Sequence, residues 1–297
     1  MNPRDASLLV LLAALFGSSF LFMRIAVPDV GPFMVAGVRV AIAAVVLLTV
    51  LLLRREAGRL KEHAGPLALV GLIFVATPFT LISAAELQLT ASLASVLNAL
   101  VPAWGIVVAA VAYSQPITGK RLLGAATGLV GVALAVGLGT LGLSWATALA
   151  VGAMLLATLC YAVGSVLAAR LLAGVPPQVT TTGLMLSATA WLAVPMALTW
   201  PDSRPETDTI WSLITLGVLC TGFAFGIFFV LLARIGPVGS TSVTFLAPIF
   251  GILFGVVFLS ERLSAGLFLG LLFVLAGVAL ITDTRLSTLR PRPAVPG

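Results

Sequence analysis

Two ionisable residues, Arg39 and Glu86, lie within or close to long apolar stretches of the sequence, where charge is expensive. Arg39 is the only strongly charged residue well inside such a stretch. At a rise of about 1.5 Å per residue, it would lie roughly 10 Å from the nearer end of a spanning helix. Glu86 would lie at a similar depth near the end of the next helix, so the two are candidates for an ion pair. Alternatively, the long Arg39 side chain could extend to the membrane interface.

Two prolines stand near the middle of apolar stretches, each with a polar residue four positions earlier. The pairs are Asn98 with Pro102 and Thr244 with Pro248. Residues four apart share one face of a helix, and a proline removes a backbone hydrogen bond and kinks the helix. Gly105 and Gly251 continue the same faces, so the arrangement predicts a hinged, partly polar cavity wall. The polar side chains could instead serve only to satisfy the kinked backbone.

Aromatic and hydroxyl side chains could line the same cavity. Phe79 and Ser83 lie four residues apart, and Tyr161 offers an aromatic ring with a polar tip. Such a lining suits a neutral or zwitterionic, partly apolar solute, although each residue could also be a packing or lipid-facing residue. The predicted substrate-binding residues are Phe79, Ser83, Asn98, Tyr161, Phe225 and Thr244. The predicted hinge residues are Pro102, Gly105, Pro248 and Gly251.

The sequence offers little for catalysis. His63 is the one histidine and falls in a polar segment, while Cys160 and Cys220 lie inside apolar stretches and are expected to act as small packing residues. We therefore expect no enzymatic activity, no metal and no cofactor.

These residues must be positioned by membrane helices. Of 297 residues, 60% are hydrophobic and 9% are charged, whereas an ordinary soluble domain has roughly 25% charged residues. Each spanning helix needs about 20 apolar residues. The sequence predicts an all-α membrane protein with ten spans, at 6–27, 32–53, 66–86, 90–112, 120–138, 146–169, 177–199, 210–233, 237–259 and 264–283.

The distribution of positive charge predicts the orientation. Of the 16 lysines and arginines, Arg39 lies within a span and Arg24, Arg204 and Arg262 fall on one side, which leaves twelve on the side of both termini. Cytoplasmic loops carry the excess of lysine and arginine, so both termini are expected in the cytoplasm. The net charge of +6 then reflects topology and the lipid bilayer, and nucleic acid is not an expected partner.

The two halves of the chain are related by a constant shift of 146 residues. This shift places Pro102 on Pro248, Gly105 on Gly251 and Gly131-Val132-Ala133-Leu134 on Gly277-Val278-Ala279-Leu280. We expect one repeat over 1–139, a second over 140–284 and a disordered tail over 285–297. Each repeat has five predicted spans, an odd number, so the second repeat would be inverted in the membrane. Inverted repeats are typical of carriers that work by alternating access, whereas a channel or receptor does not require them.

The motifs resemble those of EamA-type members of the drug/metabolite transporter superfamily. They are Gly17-Ser18-Ser19-Phe20, Arg39, Leu100-Val101-Pro102, Leu246-Ala247-Pro248, Leu259-Ser260-Glu261-Arg262-Leu263, Gly270 and Gly277-Val278. Gln115 replaces the glutamate that the family has at the first-half match to Glu261. The chain is similar to YddG-like aromatic amino-acid exporters within that superfamily. The resemblance implies export of small metabolites, and of aromatic or neutral amino acids in particular.

Two further properties follow less directly from the sequence. None of the ten acidic residues lies at mid-membrane in the predicted spans, which favours facilitated transport over a proton-coupled multidrug or metabolite antiporter. Glu86 is the residue that could titrate in the antiporter alternative. The motifs Gly124-x3-Gly128 and Gly266-x3-Gly270 permit close helix packing, which we expect within one chain, so a monomer or weak oligomer is predicted.

Overall fold

The computed structural model describes residues 2–114, 118–137 and 144–282, with 237–241 and 282 described by their backbone alone. The predicted tail 285–297 and Gln115 lie outside the described residues. Throughout the described part the secondary structure is helical. The helices are α1 (Pro3–Leu53), α2 (Ala64–Ala85), α3 (Ala91–Tyr113), α4 (Gly119–Gly137), α5 (Trp145–Leu171), α6 (Pro177–Leu198), α7 (Thr207–Gly236), α8 (Val243–Leu259) and α9 (Ala265–Thr282), with a short turn at Arg59–Glu62.

Helix α1 reverses direction at Gly31. Its φ of 79° and ψ of 165° are not helical, and a positive φ is the conformation that glycine adopts without a steric penalty. The side chains of Ser19 and Arg39 are 3.3 Å apart, whereas 20 residues of continuous helix would separate them by roughly 30 Å. Residues 3–30 and 32–53 are therefore two antiparallel arms, and the turn lies within the predicted break at 28–31.

The helices are long and apolar enough for a multi-pass membrane protein. Within the described residues, seven helices have the length and hydropathy of a membrane span, and α8 and α9 are shorter apolar helices. Large apolar side chains point outward, such as Leu53, Val111 and Leu198, which are each 81% exposed. An apolar exterior is what lipid requires as solvent, because lipid tails offer no hydrogen bonds.

The 146-residue shift also relates local distortions of the backbone. A π-helical turn occupies Leu72–Ala76 in α2, and another occupies Val218–Phe223 in α7. Ser114 after α3 and Ser260 after α8 both adopt the left-handed conformation, with φ of 51° and 55°. Equivalent irregularities at equivalent positions indicate that the two halves share one fold.

Helices α4 and α9 pack antiparallel through paired glycines. A Cβ at Gly124 would lie 2.8 Å from the Gly277 carbonyl oxygen, and a Cβ at Gly131 would lie 2.7 Å from the Gly270 carbonyl oxygen. The shift places Gly124 on Gly270 and Gly131 on Gly277, so exchanging the two halves converts one contact into the other. The close approach expected of the glycine motifs thus occurs inside one chain.

Replacing Gly131 with leucine is expected to destabilise this packing. The added Cβ would collide with backbone of α9, which cannot move aside as a flexible side chain can. Overpacking of this kind costs about 1–3 kcal/mol in the free energy of unfolding. Thermal unfolding of the purified protein in detergent measures the effect. Gly137→Leu, at a position where a Cβ would meet none of the described residues within 4 Å, is the matched control, and equal stability of the two variants would contradict the packing.

Candidate functional site

Arg39 is the centre of a buried polar group that joins four helical segments. Its Nε donates to Thr221 Oγ1 at 2.8 Å, its Nη2 donates to Ser19 Oγ at 3.3 Å, and its Nη1 lies 3.4 Å from Met23 Sδ. Its guanidinium carbon lies 4.1 Å from the ring centroid of Phe79, in cation–π geometry. The residue is only 6% exposed. It contacts both arms of α1, helix α2 and the π-helical turn of α7.

Three predicted substrate-binding residues lie in this group. The Tyr161 ring on α5 stands edge-on to Phe79, with 6.4 Å between ring centroids. Ser83 is fully buried and donates to Met23 Sδ at 3.8 Å, so that sulfur contacts Ser83 as well as Arg39. We call Ser19, Met23, Arg39, Phe79, Ser83, Tyr161 and Thr221 the Arg39 cluster. Such a cluster can bind a solute by charge and by aromatic contact.

Phe225 lies in a different aromatic group. Its ring packs against Phe16 at 6.2 Å and against Phe228 and Phe229, each at 6.5 Å between centroids. Phe225 is the repeat equivalent of Phe79, yet its ring contacts are with neighbours on α1 and α7.

The predicted hinge residues lie at two places: Pro248 and Gly251 lie where α8 meets the first part of α3, whereas Pro102 and Gly105 lie in the second part of α3, which packs on α5. Helix α3 consists of Ala91–Asn98 and Val101–Tyr113, so the chain is interrupted just before Pro102. Pro248 lies inside a continuous α8, and its carbonyl accepts from Ser95 Oγ at 3.5 Å. The interruption at Pro102 and the continuity at Pro248 make the two repeats locally different.

Asn98 and Thr244 are both half-buried beside this contact. The Oδ1 atom of Asn98 is buried without a hydrogen-bond partner. A buried polar atom without a partner is costly, and a polar solute is one way to satisfy it. Asn98 therefore remains a candidate binding residue.

Glu261 caps the start of α3 from the loop that follows α8. Its Oε1 accepts from the backbone N–H of Ala91 at 2.7 Å, and its Oε2 accepts from the backbone N–H of Ser92 at 3.0 Å and from the Ser92 hydroxyl. An anionic group at a helix N-terminus satisfies free backbone N–H groups and the helix dipole. We call this contact of Glu261, Ala91 and Ser92 the Glu261 cap.

The predicted ion pair between Arg39 and Glu86 is wrong. Both carboxylate oxygens of Glu86 are buried without a hydrogen-bond partner, and its backbone carbonyl accepts from the Arg24 guanidinium. Arg39 stacks on Phe79, which precedes Glu86 by seven residues, or about 10 Å of helix. The sequence pattern places the two side chains at a similar depth, but in the structure Arg39 contacts Phe79 and the Glu86 carboxylate accepts no hydrogen bond from it.

Comparison with known proteins relates the whole chain to membrane transporters. The model of the EamA-like transporter family matches residues 5–137 and 148–283. An uncharacterized transporter of Synechocystis sp. is 30% identical, over 95% of this chain and 91% of that protein. An uncharacterized transporter of Archaeoglobus fulgidus is 26% identical, over 95% of this chain and 98% of that protein.

Two further matches concern location and fold. The uncharacterized inner membrane transporter YedA of Escherichia coli (strain K12) is 29% identical, over 94% of this chain and 92% of that protein. One solved crystal structure superposes with a TM-score of 0.68 at 20% identity, over 94% of this chain and 96% of that chain. At this identity the superposition shows a shared fold alone.

Proposed function

The chain belongs to the EamA-like transporter family, and from this premise we propose that it is a secondary transporter exporting aromatic or neutral amino acids by alternating access. A multi-pass membrane transporter is what the family and the relatives establish. The substrate class, the direction and the mechanism are our proposal. YddG-like aromatic amino-acid exporters, which the sequence motifs resemble, are the proteins whose activity it would share.

We propose ten spans arranged as two inverted repeats, 1–139 and 140–284. The two arms of α1 and the shorter helices α8 and α9 would each cross the membrane, together with α2 to α7. The antiparallel α4–α9 contact supports the inversion, because helices exchanged by a two-fold axis in the membrane plane must run in opposite directions. The equivalent π-helical turns support the repeat.

One observation supports alternating access: two glycines at equivalent positions of the repeat have different surroundings. Gly251 on α8 packs against Ser95 near the start of α3. Among the residues whose side chains the structure describes, none lies within 4 Å of where a Cβ would point at Gly105 on α3, its equivalent by the 146-residue shift. An inverted repeat that is closed at one end and open at the other has this asymmetry, and exchanging the two arrangements would move the opening across the membrane. Pro102, Gly105, Pro248 and Gly251 are the proposed hinge.

The proposed orientation places the closed end outside. Both termini would be cytoplasmic in a bacterial inner membrane, which is the membrane of the Escherichia coli inner membrane transporter YedA. The loop that holds Glu261 then lies on the outer side. The structure would be a state closed to the outside by the Glu261 cap and open toward the cytoplasm.

The proposed central cavity is lined by the Arg39 cluster together with Asn98, Phe225 and Thr244. Aromatic rings and a few polar groups are the usual lining of a site for a partly apolar small molecule. The solute and the bilayer are the proposed partners of a monomeric or weakly associating chain.

Counterflow of labelled phenylalanine and threonine in proteoliposomes, without an ion gradient, tests the function. We expect saturable uptake that unlabelled solute competes, because a carrier exchanges solute across the membrane without net driving force. Protein-free liposomes are the control. Single alanine replacements of Phe79, Asn98, Tyr161, Phe225 and Thr244 are expected to reduce uptake, and unchanged uptake in all five would contradict the cavity.

A proton-coupled antiporter for drugs or other metabolites is the second candidate, and the burial of Glu86 favours it. A titratable carboxyl group that is fully buried, with no hydrogen-bond partner for either carboxylate oxygen, is the kind of residue that can link proton and solute movement. Flux that requires a proton gradient and disappears in Glu86→Gln, but persists in the exposed control Glu206→Gln, would establish this mechanism and contradict facilitated transport.

A further inference from the structure

Arg39 forms no ion pair with a carboxylate in the described part of the chain. Its hydrogen-bond acceptors are two hydroxyl oxygens and one thioether sulfur, all neutral. Among residues 2–114, 118–137 and 144–282, no carboxylate oxygen lies within 4.0 Å of an Arg39 nitrogen, the distance that an ion pair requires. An unpaired guanidinium buried away from water is costly, and such intramembrane charges usually mark a solute or ion site.

The guanidinium also keeps donors to offer. Arginine has five N–H donors, and the three contacts to Thr221, Ser19 and Met23 use one on each nitrogen. Each terminal nitrogen therefore retains one N–H. A carboxylate can accept from both terminal nitrogens of an arginine at once, which is the geometry that distinguishes arginine from lysine.

We propose that Arg39 binds the carboxylate of the transported solute, so that the substrate class is small carboxylic acids with an apolar part. This inference rests on the proposed transport function and makes its site more specific. The Phe79 ring covers one face of the guanidinium, and the Tyr161 ring stands beside Phe79. A solute whose carboxylate meets Arg39 would have its apolar part next to these two rings. Amino acids fit, and so do carboxylic acids without an amino group.

The alternative is that Arg39 only ties the two arms of α1 to α7. That role predicts lower stability on mutation but no dependence on the carboxylate of a ligand. Three probes of similar shape separate the two roles: phenylalanine, 3-phenylpropionate, which lacks the ammonium group, and phenethylamine, which lacks the carboxylate.

Ligand-induced thermal stabilisation of the purified, detergent-solubilised full chain gives the test. Phenylalanine and 3-phenylpropionate are expected to raise the unfolding midpoint of the wild type, and phenethylamine is not. In Arg39→Gln the concentration of phenylalanine needed for half of the effect should rise about tenfold or more, the usual loss when a hydrogen bond to a charged group is removed. Arg24→Gln, whose native side chain donates to a backbone carbonyl, is the matched control and should respond as the wild type does.

If Arg39→Gln does not fold, Arg39→Lys keeps the charge but loses the two-nitrogen geometry. A reduced response of Arg39→Lys to both carboxylate probes supports the inference. Equal stabilisation by phenethylamine and phenylalanine, or an unchanged response in a folded Arg39 variant, overturns it.

The inference and the proposed function can fail separately. If phenylalanine shows counterflow and phenethylamine competes with it as well as unlabelled phenylalanine does, amino-acid transport is supported and the proposed role of Arg39 is contradicted. If both carboxylate probes stabilise the wild type but not the Arg39 variants, and phenylalanine shows no flux, the carboxylate site is supported and the proposed transport of amino acids is contradicted.

Discussion

Replacing Glu261 with alanine is expected to open the outer end of the transporter. The change removes an acceptor for two backbone N–H groups and one hydroxyl at the start of α3. Hydrogen bonds to a charged group are worth about 1.5–3 kcal/mol each. Because exposed N–H groups regain water, we expect a net shift of about 2 kcal/mol, or roughly 30-fold in the ratio of open to closed states.

The accessibility of a cysteine at position 95 measures this shift. Ser95 is 1% exposed in the closed contact with α8, so Ser95→Cys should react slowly with a membrane-impermeant maleimide added from outside. The measurement uses a chain in which Cys160 and Cys220 are replaced by alanine. Glu261→Ala is expected to accelerate the reaction, and Glu261→Gln, which keeps one carbonyl oxygen as an acceptor, should have an intermediate effect.

The control for this measurement is Glu206→Ala. Glu206 is exposed and belongs to the same side in the proposed topology, so its loss changes the charge without removing the cap. Equal labelling rates in Glu261→Ala and Glu206→Ala would show that the Glu261 cap does not hold the outer end closed.

The sequence predicts the helices well because lipid imposes a simple rule. A run of apolar residues ends where the chain leaves the hydrocarbon, so the predicted 120–138 and 146–169 agree closely with Gly119–Gly137 and Trp145–Leu171. The start of the ninth predicted span, at 237, follows directly after Gly236, where a φ of 73° separates two helical segments. Beyond Gly236 the helical backbone runs to Thr241, and α8 begins at Val243. Apolarity does not encode this second break, between Thr241 and Val243, because it lies inside one apolar stretch.

The π-helical turns were beyond the sequence pattern. The turns at Leu72–Ala76 and Val218–Phe223 change hydrogen-bond register without changing hydropathy. The interruption of α3 at 99–100 is different, because it adjoins Pro102, where the sequence predicted a kink. The turn in α7 matters for the site, because it carries Thr221, which accepts a hydrogen bond from Arg39.

The site was predicted in part. Phe79, Ser83 and Tyr161 lie around Arg39 in the structure. The sequence could single them out because aromatic and hydroxyl side chains stand out among aliphatic ones. Met23 carries no such signal, since methionine is ordinary in a membrane helix. Glu261 stood out only as part of a loop motif, and its partner is a helix N-terminus 169 residues away, which one sequence cannot pair with it.

Leucine at Gly251 and leucine at Gly105 are expected to stop transport in opposite conformations. In this structure a Cβ at Gly251 would collide with the Ser95 side chain, whereas a Cβ at Gly105 would meet no described side chain within 4 Å. Gly251→Leu should therefore prevent closure of the outer end, and labelling of Ser95→Cys from outside should rise. If the opposite state repeats the contact between the equivalent residues, Gly105→Leu should prevent closure of the inner end and leave Ser95→Cys protected.

Both leucine variants are expected to lose nearly all counterflow, because a carrier that cannot close one end cannot complete its cycle. The pair is its own control, since the two substitutions are chemically identical and occupy equivalent positions of the repeat. Only the conformation should differ, and the labelling of Ser95→Cys reports it. Stability separates them further: Gly251→Leu should lower the unfolding midpoint in detergent, and Gly105→Leu should not. Normal counterflow in Gly105→Leu would mean that this position faces lipid, and the asymmetry of the two glycines would then carry no evidence for alternating access.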